Sequence, residues 1–108
     1  MELKYMKNIP GEEVLDLAAL VEVTPGQVVS RTLAQNDHVS ITLFAFDQGE
    51  EISTHASGGD AMVTVLEGTG KFTVDGTPHL VRKGQCLVMP AGKPHAVFAQ
   101  EAFKMLLV

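Results

Sequence analysis

The chain has 108 residues, 45% of them hydrophobic and 19% charged, with a net charge of −5 and no cluster of Lys or Arg. That length makes one domain and not two, and a chain of this size buries roughly 60–70% of its unfolded surface in a real core. Nucleic acid and anionic membrane are excluded as partners, because both need a basic footprint.

Residues Leu3 to Ile9 mix apolar and charged side chains and stop at Pro10-Gly11, a turn signal. They read as an edge strand, or as a strand donated to a second subunit. Glu12 to Val23 is the one helix candidate, but Val14, Leu15, Leu17, Ala18 and Leu20 fit neither period, so a single short turn is expected. Thr24-Pro25-Gly26 closes it.

Short β-branched or aromatic runs then alternate with Gly, Pro and Asp. Strands are expected over 27–33, 39–47, 53–57, 61–67, 71–74, 77–81, 86–89, 95–99 and 103–107, with residues 34–37 as a turn. In the second of these, Ile41, Leu43 and Ala45 share one face and Thr42, Phe44 and Phe46 the other. Asp75-Gly76 is a tight hairpin signal, since glycine accepts positive φ. Many short strands at close spacing indicate an all-β sandwich or barrel, mostly antiparallel because no long helix is present to cross over. A single domain over 1–108 is expected. Its barrel core covers about 27–108, and 1–26 form an N-terminal strand and a short helical or irregular segment.

The single cysteine, Cys86, allows no internal disulfide. No apolar run approaches the ~18 residues of a membrane span, and residues 1–7 lack the apolar stretch of a secretion signal. A cytoplasmic protein that does not engage membranes is the resulting expectation.

Two stretches carry the chemistry. The first runs from Gly49 through His55 and Ser57 to Ala61 and Gly68; the second holds Gly84, Pro90, Gly92 and His95. Their spacing resembles the paired motifs of the cupin family, over roughly Gln27 to Ala99 and in a form similar to very small prokaryotic members. The first cupin motif is glycine, five residues, His-x-His, three or four residues, Glu, six residues, Gly. The second is glycine, five residues, Pro-x-Gly, two residues, His, three residues, Asn. The resemblance implies a double-stranded β-helix, or jelly-roll barrel. It also implies a metal (Zn, Ni, Mn or Fe) held by three histidines and a carboxylate. Here Ser57 stands at the second histidine position, Ala61 at the glutamate position and Ala99 at the asparagine position.

Two imidazoles are a sparse ligand set, since structural zinc takes four protein ligands, catalytic zinc three, and the iron facial triad two His and a carboxylate. His55 and His95 therefore read either as hydrogen-bonded pocket residues without metal or as the two protein ligands of a divalent ion. No cofactor is firmly implied. Asp60 neighbours Ala61, but alternation turns it to the opposite face. His38 and His79 read as surface histidines and Cys86 as a small buried side chain.

If Ala61, Val63 and Val65 face inward with Ser57, the barrel is apolar with two imidazoles at one end. The expected pocket comprises His55, Ser57, Ala61, Val63 and His95, suited to a small ligand with one or two polar groups. The function expected from this is small-molecule binding. The alternative is a metal-dependent enzyme of dioxygenase or isomerase type that uses His55 and His95. A third reading is an interaction role as a homodimer, which the resemblance and the need to cover strand edges both suggest.

Overall fold

The computed structural model describes residues 3–108, so the first two residues of the expected N-terminal segment lie outside it. Among the described residues nine strands follow one 3-10 turn over Leu17–Leu20. They are β1 (Val28–Gln35), β2 (Ser40–Phe46), β3 (Glu51–His55), β4 (Ala61–Glu67), β5 (Thr69–Val74), β6 (Thr77–Arg82), β7 (Cys86–Met89), β8 (His95–Ala99) and β9 (Phe103–Leu107). All their pairings are antiparallel. One sheet has the order β1-β2-β9-β4-β7 and the other β3-β8-β5-β6. The all-β jelly-roll expectation holds.

The core lies between the sheets. Phe46 stacks on Phe103 with centroids 4.6 Å apart, and Phe72 meets Phe103 edge-on at 6.0 Å. All three rings are almost completely buried. Such pairs add about 0.5–1.5 kcal/mol each beyond the area they bury. Val63, Val65, Met89, Val97, Ala99 and Met105 fill the space around them.

A second apolar layer lies on the outer face of the larger sheet. Leu33, Leu43 and Ala45 point away from the core and are covered by Val21, with Ile9, Leu17 and Leu20 around it. Strand β2 is thus buried on both faces, which explains why its two faces read as equally apolar. The covering segment is irregular. Residues 3–9 form no strand, contrary to expectation, and lie against β1 of their own chain. Lys7 N donates to Leu33 O at 2.8 Å and Asn8 Nδ2 to Thr32 O at 2.8 Å. Arg31 locks the segment down by donating to the carbonyls of Asn8 and Leu20.

Three strands depart by two residues from their expected limits, and one of them is β5, which begins early at Thr69. β1 continues through Ala34 and Gln35, past a register shift between Thr32 and Ala34. The turn comes later, where Asn36 Oδ1 accepts from the amides of His38 and Val39. β3 begins and ends two residues early. The hairpin at Asp75-Gly76 forms as expected, with φ of 49° and 83°. Cys86 is exposed, not buried. On the edge strand β7 it shares the outward phase with Val88, while Leu87 and Met89 turn inward. His38 and His79 are exposed as expected.

Glycine is required where the sheets close. Gly68 has φ +74°, and a Cβ there would overlap the carbonyl oxygen of Ala102. A Cβ on Gly70 would lie 2.8 Å from the rings of both Phe103 and Phe72. Gly68→Ala is expected to cost about 2 kcal/mol or more in urea unfolding, combining backbone strain with overpacking. Gly58→Ala, where a Cβ meets nothing, is expected to stay within about 0.5 kcal/mol of the parent.

Candidate functional site

The pairing of β3 with β8 places the two motif histidines side by side. Ile52 lies opposite Val97 and His55 opposite His95, with a register shift between the two pairs. Three residues of β3 therefore span two of β8. Ile52 faces the cavity. Without the extra residue, alternation would turn His55 outward, because it lies an odd number of positions further on. The bulge resets the phase and aims the ring inward, a common use of bulges beside functional sites.

The rings meet edge to face, with centroids 4.3 Å apart and an interplanar angle of 72°. Their Nε2 atoms are 3.1 Å apart. His55 Nδ1 is 2.9 Å from Ser53 O, and His95 Nδ1 is 3.1 Å from Lys93 O. A carbonyl oxygen only accepts, so each Nδ1 carries the proton and donates it. In the neutral rings both Nε2 atoms then present lone pairs to each other. That contact is favourable only with a proton or a cation between them. An Nδ1–H bonded to a backbone carbonyl is also the usual arrangement behind a metal-bound histidine.

His95 is 4% exposed, whereas His55 lies on the open rim. The loop that precedes His95 is tied down from three sides. Ala91 N donates to Asp60 Oδ1, Gly92 N to Ser57 O, and Asp75 N to Pro94 O. Gly92 takes φ +77°, which accounts for glycine at that motif position. Asp60 is thus engaged in holding the loop and does not turn toward the histidines.

The His pair closes one part of a cavity of about 130 Å³. Phe44, Ile52, His55, Ser57, Ala61, Met89, His95, Val97, Met105 and Leu107 line it. Four of the five expected pocket residues are there. The fifth, Val63, faces inward as expected but is fully buried in the core and is not part of the lining. The apolar walls from β2, β7 and β9 were not singled out in advance. The inward phase of those strands was the signal that could have found them. Ser57, Ala61 and Leu107 also border a wider open hollow of about 440 Å³, which carries Asp37, His38 and Asp60. Ser57 donates its hydroxyl proton to Gly59 O at 2.9 Å.

Two glycine-spaced histidine motifs, facing each other inside a two-sheet jelly roll, agree with the comparison to known families. A model of the cupin domain matches residues 42–108. The chain belongs to the cupin family. A conserved Streptococcus pyogenes protein of unknown function superimposes on this cupin with a TM-score of 0.95. The two are 48% identical over 97% of this chain and 92% of that one. A cupin superfamily protein from Desulfitobacterium hafniense matches with a TM-score of 0.91, 38% identity and coverage of 96% and 95%. Among curated proteins, a dimethylsulfoniopropionate lyase from Ruegeria pomeroyi is 28% identical over 92 residues. That alignment takes in 81% of this chain and spans only 60% of the lyase.

The family's full metal shell does not fit these residues. Among the described residues, no three His, Cys, Asp or Glu side chains converge to hold an ion. What fits is the pair alone, two imidazoles of the right tautomer with converging lone pairs. Nitrogen-15 correlation spectra of the imidazole rings are expected to show the Nδ1–H tautomer for His95 at neutral pH. An Nε2–H tautomer there would contradict the carbonyl pairing.

Proposed function

We propose that this cupin binds a small, mainly apolar molecule in the cavity, with the molecule's one polar group at the His55–His95 pair. The observation that carries the reading is the cavity itself, enclosed by apolar walls with its strongest polar groups at one place. At about 130 Å³ it holds the apolar part of a molecule with a few carbon atoms. It is far smaller than the ~300–1,000 Å³ of a drug-sized site. A longer ligand would extend past Ala61 and Ser57 into the outer hollow, where the small side chains leave the way open.

A second reading is a metal-dependent enzyme of dioxygenase or isomerase type. The facing Nε2 lone pairs favour it, and the partial likeness to a lyase adds support for catalysis in this fold. A divalent metal, Zn, Ni, Mn or Fe, would be held by His55 and His95 and would supply Lewis-acid polarisation of a bound oxygen. This chain's own part would be to present two oriented imidazoles, accept a hydrogen bond at Ser57 and keep water from the apolar wall.

Ala61→Leu separates the cavity from the outer hollow and fills part of it. Titration of the nitrogen-15 labelled protein with a panel of short carboxylic acids and alcohols is expected to move the amides of β3, β4 and β8. The substitution is expected to abolish those shifts. A panel that leaves these amides unmoved, in a protein that still admits xenon, would count against small-molecule binding.

The homodimer and the cytoplasmic setting belong to the same proposal. Met62 and Val88 are register partners on the outer face beside the β7 edge, 41% and 52% exposed, and a second copy of the chain would cover them. Among the described residues no helix is long and apolar enough to cross a membrane. Sedimentation velocity at micromolar concentration is expected to give a dimer, and Val88→Lys to shift it toward monomer. A monomer in the parent protein would remove this element.

A further inference from the structure

Carboxylate and imidazole are not the only metal ligands a protein can offer. Of the described methionines, Met6 and Met62 are 38% and 41% exposed, while Met89 and Met105 are 2% and 1%. Both buried methionines line the cavity that the histidine pair closes. Met89 lies opposite Ala61, the position where the family's glutamate is absent, and Met105 lies opposite Phe44 and Val65. Buried methionine is ordinarily a gap filler. Here two thioethers border the same small space as two imidazole nitrogens whose facing lone pairs call for a proton or a cation between them.

We infer that this cavity takes a soft monovalent cation, Cu(I), held by His55 Nε2, His95 Nε2 and thioether sulfur from Met89 and Met105. The inference rests on reading this cavity as the ligand site. Thioether donors select Cu(I), whereas carboxylate and water suit the harder ions. Charge points the same way. A divalent ion here would sit against Phe44, Ile52, Val97 and Leu107 with no carboxylate to offset it. Desolvation opposes charge in such surroundings, and steeply so as the charge rises. One positive charge shared among four neutral donors is the smaller penalty. The methionine side chain, unbranched with three rotatable bonds, brings its sulfur to the ion at little cost.

The exposed thiol of Cys86 is itself a Cu(I) ligand, so the test uses the full chain with Cys86→Ser. Anaerobic Cu(I) competition against bicinchoninate is expected to show one ion per chain, and copper K-edge absorption a mixed nitrogen and sulfur shell. Met89→Leu and Met105→Leu conserve volume, so the fold is kept. Each is expected to weaken Cu(I) by about tenfold or more while leaving Zn(II) affinity unchanged. His55→Ala and His95→Ala are expected to weaken both ions. Failure to compete for Cu(I), a shell without sulfur, or methionine variants that bind as the parent does would each overturn the inference. Any of these results with cavity binding of small organic molecules intact would leave the proposed function standing.

Discussion

Side-chain alternation on two facing sheets is the constraint from which the rest of the molecule follows. Each strand sends every second residue into one core, so Phe46, Phe72 and Phe103 arrive from three strands at one stack. The cavity is a place where that rule leaves space. Ala61 and Ser57 are too small to fill what the larger side chains around them enclose. The site then depends on one local exception to alternation. The extra residue between Ile52 and His55 turns an imidazole inward that strict alternation would point outward.

That exception shows what could be read in the residues and what could not. Strands β4, β7, β8 and β9 have the limits expected of them, because Gly, Pro and polar turns bracket each one. β3 was displaced by two residues, since a bulge leaves no mark in composition. The register partner that reveals it lies forty positions away. The exposure of Cys86 was illegible for a related reason. Four residues in a row, Cys86 to Met89, are apolar enough to be buried on either face, and only the edge position of β7 decides which face meets solvent. The N-terminal segment resembled a strand because its apolar residues do have a surface to cover. They cover it as an irregular strap fixed by Arg31, with no ladder of its own. Of the site, the two histidines and the two small residues beside them were legible from motif spacing. The methionines were not, because a buried methionine carries no mark that separates a ligand from a filler.

The electrostatics of the pair follow from backbone geometry rather than from charged neighbours. Among the described residues neither salt bridge lies at the histidines: one joins Lys93 to Asp75 and the other Lys104 to Glu67. What orients the imidazoles is a carbonyl two residues upstream of each, Ser53 O and Lys93 O. Such local bonds cost little entropy to form, since donor and acceptor are already neighbours in the chain. They set the tautomer of both rings together, and so they set the polarity of the Nε2 edges that meet at 3.1 Å.

Asp60 explains why the usual carboxylate is not recovered by a small adjustment. It is one residue from Ala61, but its Oδ1 accepts from Ala91 N at 2.8 Å. That bond helps to fix the loop on which Lys93 O and His95 depend. Turning the carboxylate inward would reverse the strand phase at the start of β4 and release the loop together. The acid that could complete a hard-ion shell is therefore already committed to positioning the one buried histidine. The chemistry left to the cavity is that of its neutral donors, two imidazoles and two thioethers among apolar walls.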